Sequence, residues 1–155
     1  MAVLDGKLYA MGGYNDGFLS SVERYDPALD AWEAVAPMAA ARYEPAAAVL
    51  DGKLYVAGGL GAGYTHLTSV ERYDPALDAW EAVAPLTLAR LGAGAAALEG
   101  KLYAVGGRGE EDEDAWEEDA WEALSSLERY DPATNAWEVA APLTTARSFH
   151  GITVA

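Results

Sequence analysis

One stretch of seventeen residues occurs twice in this chain without a single difference, and that repetition restricts the fold more than any other property. SVERYDPALDAWEAVAP fills Ser21–Pro37 and again Ser69–Pro85, and a close variant, SLERYDPATNAWEVAAP, fills Ser126–Pro142. A glycine-led segment precedes each copy: GKLYAMGG from Gly6, GKLYVAGG from Gly52 and GKLYAVGG from Gly100. A unit of this length is one supersecondary element, unable to bury its apolar face alone, so its copies are expected to stack on one another.

The spacings separate rigid parts from adjustable ones. Asp26 to Trp32, Asp74 to Trp80 and Asp131 to Trp137 are each six residues apart, and Arg42 to Gly52 and Arg90 to Gly100 are each ten apart. From the second glycine of each pair to the following Glu-Arg the interval grows from 10 to 12 to 21 residues. A packed strand does not absorb insertions and a surface loop does, so the variable interval is one loop per repeat.

Four short strands are predicted per unit. Strand b is Lys7–Met11, ending at Gly12-Gly13. Strand c is about Ser21–Tyr25, ended by the Asp26-Pro27 turn signal, and strand d is about Ala31–Val35, ended by Pro37. Strand a is about Pro45–Leu50, closed by the hairpin dipeptide Asp51-Gly52. Strands a and b carry small or apolar residues on both faces, the pattern of a sheet covered on both sides. The fold class predicted is all-β.

The tract GKLYAVGG, a variable loop, ERYDP, a Trp six residues after the Asp, then APL and AR resembles the kelch repeat over nearly the whole chain. The resemblance implies a β-propeller architecture with three four-stranded blades in one domain, 1–155. The units fall at about 5–50, 51–98 and 99–155, with an acidic insertion, 110–123, in the third b–c loop. The near-identity of two repeats points to recent duplication or to consensus design.

Propellers of this type use about four to eight blades, and three leave two broad apolar faces open. Ser148–Ala155 is in register with strand a at Tyr43–Leu50, whereas Met1–Leu4 matches only the end of such a strand. The expectation is therefore a homodimer joined head to tail into a six-bladed ring by strand exchange. Val3, Leu4, Leu8 and Tyr9 would meet Ser148, Phe149, Ile152 and Val154 of a second copy. The alternative is a segment of a longer propeller.

Function is expected to be non-catalytic, either as a self-assembling scaffold or as a module binding protein or glycan on the face formed by the b–c and d–a loops. There are no cysteines, and His66 and His150 have no counterparts in the other repeats, so no zinc-type cluster and no cofactor are expected. Copper oxidases with a kelch-like propeller depend on a cysteine-modified tyrosine that this chain cannot form. Ser148 and His150 share a strand face without a third member for a triad. The glycine pairs end strands and do not open helices, unlike phosphate loops.

Kelch adaptors of ubiquitin ligases hold acidic peptides with arginines at the position of Arg42, Arg90 and Arg147, so the resemblance makes these candidates for a peptide or small ligand at the channel mouth. Tyr43, Leu91, Phe149 and His150 lie beside them. The other reading is that the arginines bridge to neighbouring carboxylates such as Glu44. A net charge of −15 disfavours nucleic acid and anionic membranes as partners. No leader-like or membrane-spanning segment is seen, which implies a soluble protein, cytoplasmic or recombinant. The acidic stretch from Glu110 places Trp116, Ala120, Ala123, Leu124 and Leu127 at helical spacing, so it reads as a short helix or an acidic loop. It lacks the alternating pattern of a Ca²⁺ loop.

Overall fold

The structure, a computed structural model, describes residues 1–109 and 122–153. Three four-stranded antiparallel sheets follow one another along the chain. The first holds β1 (Ala2–Leu4), β2 (Lys7–Met11), β3 (Val22–Asp26) and β4 (Ala31–Val35). The second holds β5 (Ala46–Leu50), β6 (Lys53–Ala57), β7 (Val70–Asp74) and β8 (Ala79–Val83). In the third, β9 (Gly94–Leu98) and β10 (Lys101–Val105) pair in turn with β13 (Leu127–Asp131) and β14 (Ala136–Ala140). A two-stranded ribbon, β11 (Arg108–Gly109) with β12 (Glu122–Ala123), rises from the third b–c loop.

Each sheet runs a–b–c–d, so the units expected at 5–50, 51–98 and 99–155 are offset by one strand from the sheets. Asp51-Gly52 and the equivalent Glu99-Gly100 are hairpin turns that bind strand a to the b that follows it. Asp51 and Gly52 have φ of 50° and 69°, which a tight turn of this hand requires. Register repeats from blade to blade: Leu4, Leu50 and Leu98 stand opposite Lys7, Lys53 and Lys101. The first blade therefore does have a strand a, but β1 has three residues where β5 and β9 have five.

Blades stack face to face. Leu4, Tyr9, Met11, Val22 and Met38 pack with Leu54, Val56 and Tyr73 between the first and second blades. Ala48, Leu50, Tyr55, Ala57 and Val70 pack with Leu102, Ala104 and Tyr130 between the second and third. The middle blade is thus covered on both sides, as its continuous apolar strands require. The outer blades are not. Leu8 is 38% exposed, while Leu54 and Leu102 at the same position are 0% and 3% exposed. On the far side Leu98 is exposed, while Leu4 and Leu50 are buried.

Residues 148–153 form no strand among the described residues, and lie against the third blade of their own chain. Ile152 and Thr153 border an apolar cleft with Ala96, Leu98, Tyr103, Val105 and Leu127. The Phe149 N–H donates to the Gly92 carbonyl at 2.8 Å, as the Gly92 N–H donates to the Glu44 carbonyl at 3.1 Å. The segment thus starts where the inner strand of a following blade starts. Val154 lies outside the described residues, as do 110–121. Glu122 and Ala123 are strand and Leu127 begins β13, so a helix carried through to Leu127 does not form.

Candidate functional site

The residues common to all repeats converge between blades. Arg42, in the d–a loop leading from the first blade, reaches across to the second. Its five N–H donors meet Glu71 Oε1 twice, the carbonyls of Gly58 and Ser69, and the Ser69 hydroxyl. Glu71 in turn accepts from the backbone N–H groups of Ala39 and Ala40 at 2.7 and 3.2 Å, so the loop wraps the carboxylate. Arg90 repeats the arrangement on Glu128, Gly106 and Ser126. Burial pulls the Arg90 guanidinium below its usual proton affinity, and the charge of Glu128 opposes that pull. A buried guanidinium with every donor matched is a fastener.

That geometry corrects the ligand-binding expectation for Arg42 and Arg90. They are 0% and 2% exposed and have no donor left for a peptide carboxylate. They do bridge to carboxylates, but to those of the next blade and not to Glu44. Arg147 differs: it is exposed, and its side chain makes no hydrogen bond or ion pair among the described residues.

A second fastener uses the tryptophans. Trp80 Nε1–H donates to the Ala36 carbonyl at 2.8 Å, and Trp137 Nε1–H to the Ala84 carbonyl at 2.9 Å. Returning the contact, the N–H groups of Ala36 and Ala84 donate to Asp78 and Asn135 at 2.9 and 3.0 Å. Tyrosine rings meet at a tilt across the same seams, Tyr9 with Tyr73 at 5.9 Å and Tyr55 with Tyr130 at 5.8 Å.

On the face formed by the b–c and d–a loops the sequence candidates part company. Tyr43 exchanges two backbone hydrogen bonds of 2.8 Å with Leu60, and Leu91 does the same with Arg108 at 2.8 and 2.7 Å. Phe149 lies under the Arg108 guanidinium, 5.5 Å from the ring centroid. His150 is half-buried against Gly94 and Gly106, and its ring nitrogens find no hydrogen-bond partner among the described residues. Missed by sequence reasoning is an aromatic group: Tyr14, Phe18 and Tyr64 gather around Tyr43. The signal available was the aromatic content of the two shorter b–c loops. Among the described residues no group of three or more His, Asp or Glu side chains is placed to hold a metal ion, and no helix is long and apolar enough to cross a membrane.

Successive four-stranded antiparallel sheets, stacked face to face and fastened by repeated Arg–Glu and Trp–carbonyl contacts, define a repeat protein of the propeller-blade class. The Kelch motif is found at residues 1–39, 41–87 and 89–144, and the chain belongs to the kelch family. No curated protein sequence matches it.

Proposed function

We propose that this kelch module is a non-catalytic, self-assembling scaffold whose two end faces close on a second copy, giving six blades arranged head to tail. The observation that carries the reading is the state of the fastener residues at the ends. Glu23 occupies the position of Glu71 and Glu128 but is exposed. Arg147 occupies the position of Arg42 and Arg90 and is likewise exposed. Trp32 is 48% exposed and its indole makes no hydrogen bond among the described residues, while the Ala141 backbone stands where Ala36 and Ala84 receive a tryptophan. The first-blade end thus presents Glu23 and Trp32 and the third-blade end Arg147 and the Ala141 backbone, complementary halves of contacts made twice within the chain. Two copies give six blades, inside the usual range of about four to eight; three would exceed it.

The strand exchange takes a more limited form than a whole strand. β1 already fills the last three positions of strand a, opposite Lys7–Tyr9. Ser148–Ile152 matches the first five positions, beside Ala10 and Met11, which have no strand-a partner. The inner strand of the closing blade is then shared between the two chains. The test is solution mass by light scattering, with twice the 16.4 kDa of the chain expected. Arg147→Ala and Glu23→Ala should each weaken the dimer, and combining them should add little, because both remove one contact. A stable single-chain mass at high concentration overturns the reading.

A second reading, a binding module at the b–c and d–a face, is favoured by the aromatic group around Tyr43. It concerns a surface inside one chain and stands whether or not the ring closes.

A further inference from the structure

The aromatic group is assembled from three separate segments. In the first b–c loop, Tyr14 and Phe18 are bridged as a tight hairpin, with the Asn15 N–H donating to the Gly17 carbonyl at 3.0 Å. Their rings meet edge to face at 5.7 Å. Tyr43, fixed by its backbone bonds to Leu60, adds contacts of 6.3 Å to Tyr14 and 6.4 Å to Phe18. Tyr64, from the second b–c loop, closes on Phe18 at 5.4 Å. Despite these contacts Tyr14 and Tyr64 remain 59% and 71% exposed.

The blade fasteners do not require this group. At the position of Tyr14 the later repeats have Leu60 and Arg108, and at that of Tyr43 the second has Leu91, yet Leu91 pairs with Arg108 through the same two backbone bonds as Tyr43 with Leu60. Four aromatic rings presented at one place, two of them largely exposed, form a platform for a ligand.

The surrounding charge selects the class of ligand. Asp16 is at the exposed tip of the Tyr14–Phe18 hairpin, and the neighbouring Glu44 carboxylate holds the Tyr43 hydroxyl above its usual value. All three lysines follow the a–b turns at the other end of the blades, and the chain carries a net −15. Among the described residues Arg108 lies over the Phe149 ring and Arg72 over the Tyr55 ring. Among the described residues no cation is so placed on the Tyr14–Phe18–Tyr43–Tyr64 platform.

We infer that this platform binds an arginine side chain from a basic peptide segment, the guanidinium lying on the exposed faces of Tyr14 and Tyr64 with Asp16 and Glu44 as counter-charges. The inference rests on the second reading above and is independent of ring closure. Its ligand has the charge opposite to the acidic peptides implied by the family resemblance. Arginine is preferred over lysine because its planar, weakly hydrated group stacks on an aromatic face while keeping its edge donors for carboxylates.

The experiment is calorimetric titration of the chain with tetra-arginine, tetra-lysine, tetra-glutamate and a neutral tetrasaccharide of glucose. Tetra-arginine should bind tightest. The Tyr14→Ser, Tyr64→Ser double variant, which leaves net charge unchanged, should weaken tetra-arginine binding about tenfold. Tyr14→Phe should retain it. Both tyrosines are exposed, and an unchanged urea unfolding curve confirms that the double variant is folded. If tetra-arginine binding is unaffected by the double variant, only the general field attracts it and the inference falls. Tighter binding of the tetrasaccharide, lost in the double variant, overturns the inference while sparing the binding-module reading. Silence with all four probes overturns both.

Discussion

Arg42 and Glu71 are 29 residues apart in sequence and belong to different blades, yet their charged groups meet at 2.9 Å with almost no access to solvent. Glu71 completes two hydrogen bonds of the guanidinium and caps two backbone N–H groups of the incoming loop. Removing it leaves a buried, unmatched positive charge. Glu71→Ala should therefore cost about 3–5 kcal/mol. Glu23→Ala, at the same repeat position on the exposed face, should shift single-chain stability by less than about 0.5 kcal/mol. Urea unfolding at protein concentrations too low for association measures both; equal losses would mean that the burial of Arg42 is not what makes Glu71 matter.

The tryptophan fastener gives a smaller and more specific effect. In Trp80→Phe the ring remains against Tyr73, with which it makes a 5.1 Å contact, but the bond to the Ala36 carbonyl is lost. A loss of about 1 kcal/mol is expected. Trp32→Phe should leave single-chain unfolding unchanged and, if the ends close as proposed, lower the solution mass, because the carbonyl that would receive its indole is that of Ala141 in a second copy. Comparing unfolding midpoints with light scattering on the same samples separates the two effects. Identical behaviour of the two variants would count against end-to-end closure.

The Gly-Gly pair that ends strand b has a steric role. Gly58 has φ of 66°, and a Cβ built there would stand 2.5 Å from the Arg90 carbonyl oxygen. The neighbour is backbone and cannot swing aside. Gly58→Ala should destabilise by about 1–3 kcal/mol from the backbone conformation, with the clash adding to it. Gly63→Ala has a similar φ of 70° and nothing within 4 Å, so the difference in unfolding free energy between the two variants isolates the clash.

The parts of this molecule set by local chemistry could be read from its sequence. Strands b and d were placed at Lys7–Met11 and Ala31–Val35 and are β2 and β4, because Gly-Gly, Asp-Pro and Ala-Pro punctuate them. The Asp51-Gly52 hairpin was equally visible. What the sequence did not disclose is where a side chain goes after leaving its own blade. Glu44 lies two residues from Arg42 and is an example of the neighbouring carboxylates that sequence offers as partners, but the arginine points along the stacking direction to a carboxylate 29 residues on. Periodicity marks Arg42 as repeated and says nothing of its direction. The aromatic group around Tyr43 was hidden for the same reason: Tyr14, Phe18 and Tyr64 lie in loops of different length, and only the stacking of two blades brings them together.

The turns that end strand c should make stability depend on acid in a definite way. Asp26, Asp74 and Asp131 each accept from a lysine of the neighbouring strand, Lys7, Lys53 and Lys101. Each also caps a backbone N–H two residues on, at 2.9 Å. The lysine bond first, then that backbone bond, hold these carboxyls below their ordinary value of 3.8. Asp78 is also lowered, chiefly by the Ala36 N–H and then by the Tyr73 hydroxyl. In each case the unfolded chain takes up its proton at higher pH than the folded one. Their contribution is therefore fully present above the unfolded value and is lost as pH falls through it toward the folded values. The urea midpoint should drop from about pH 4 downward through these groups. The groups are solvent-facing, so salt should soften the drop. Lys53→Met should make the acid limb shallower, since it raises Asp74 toward its ordinary value in the folded state. An acid limb unchanged by both salt and Lys53→Met would show that these turns do not set the acid response.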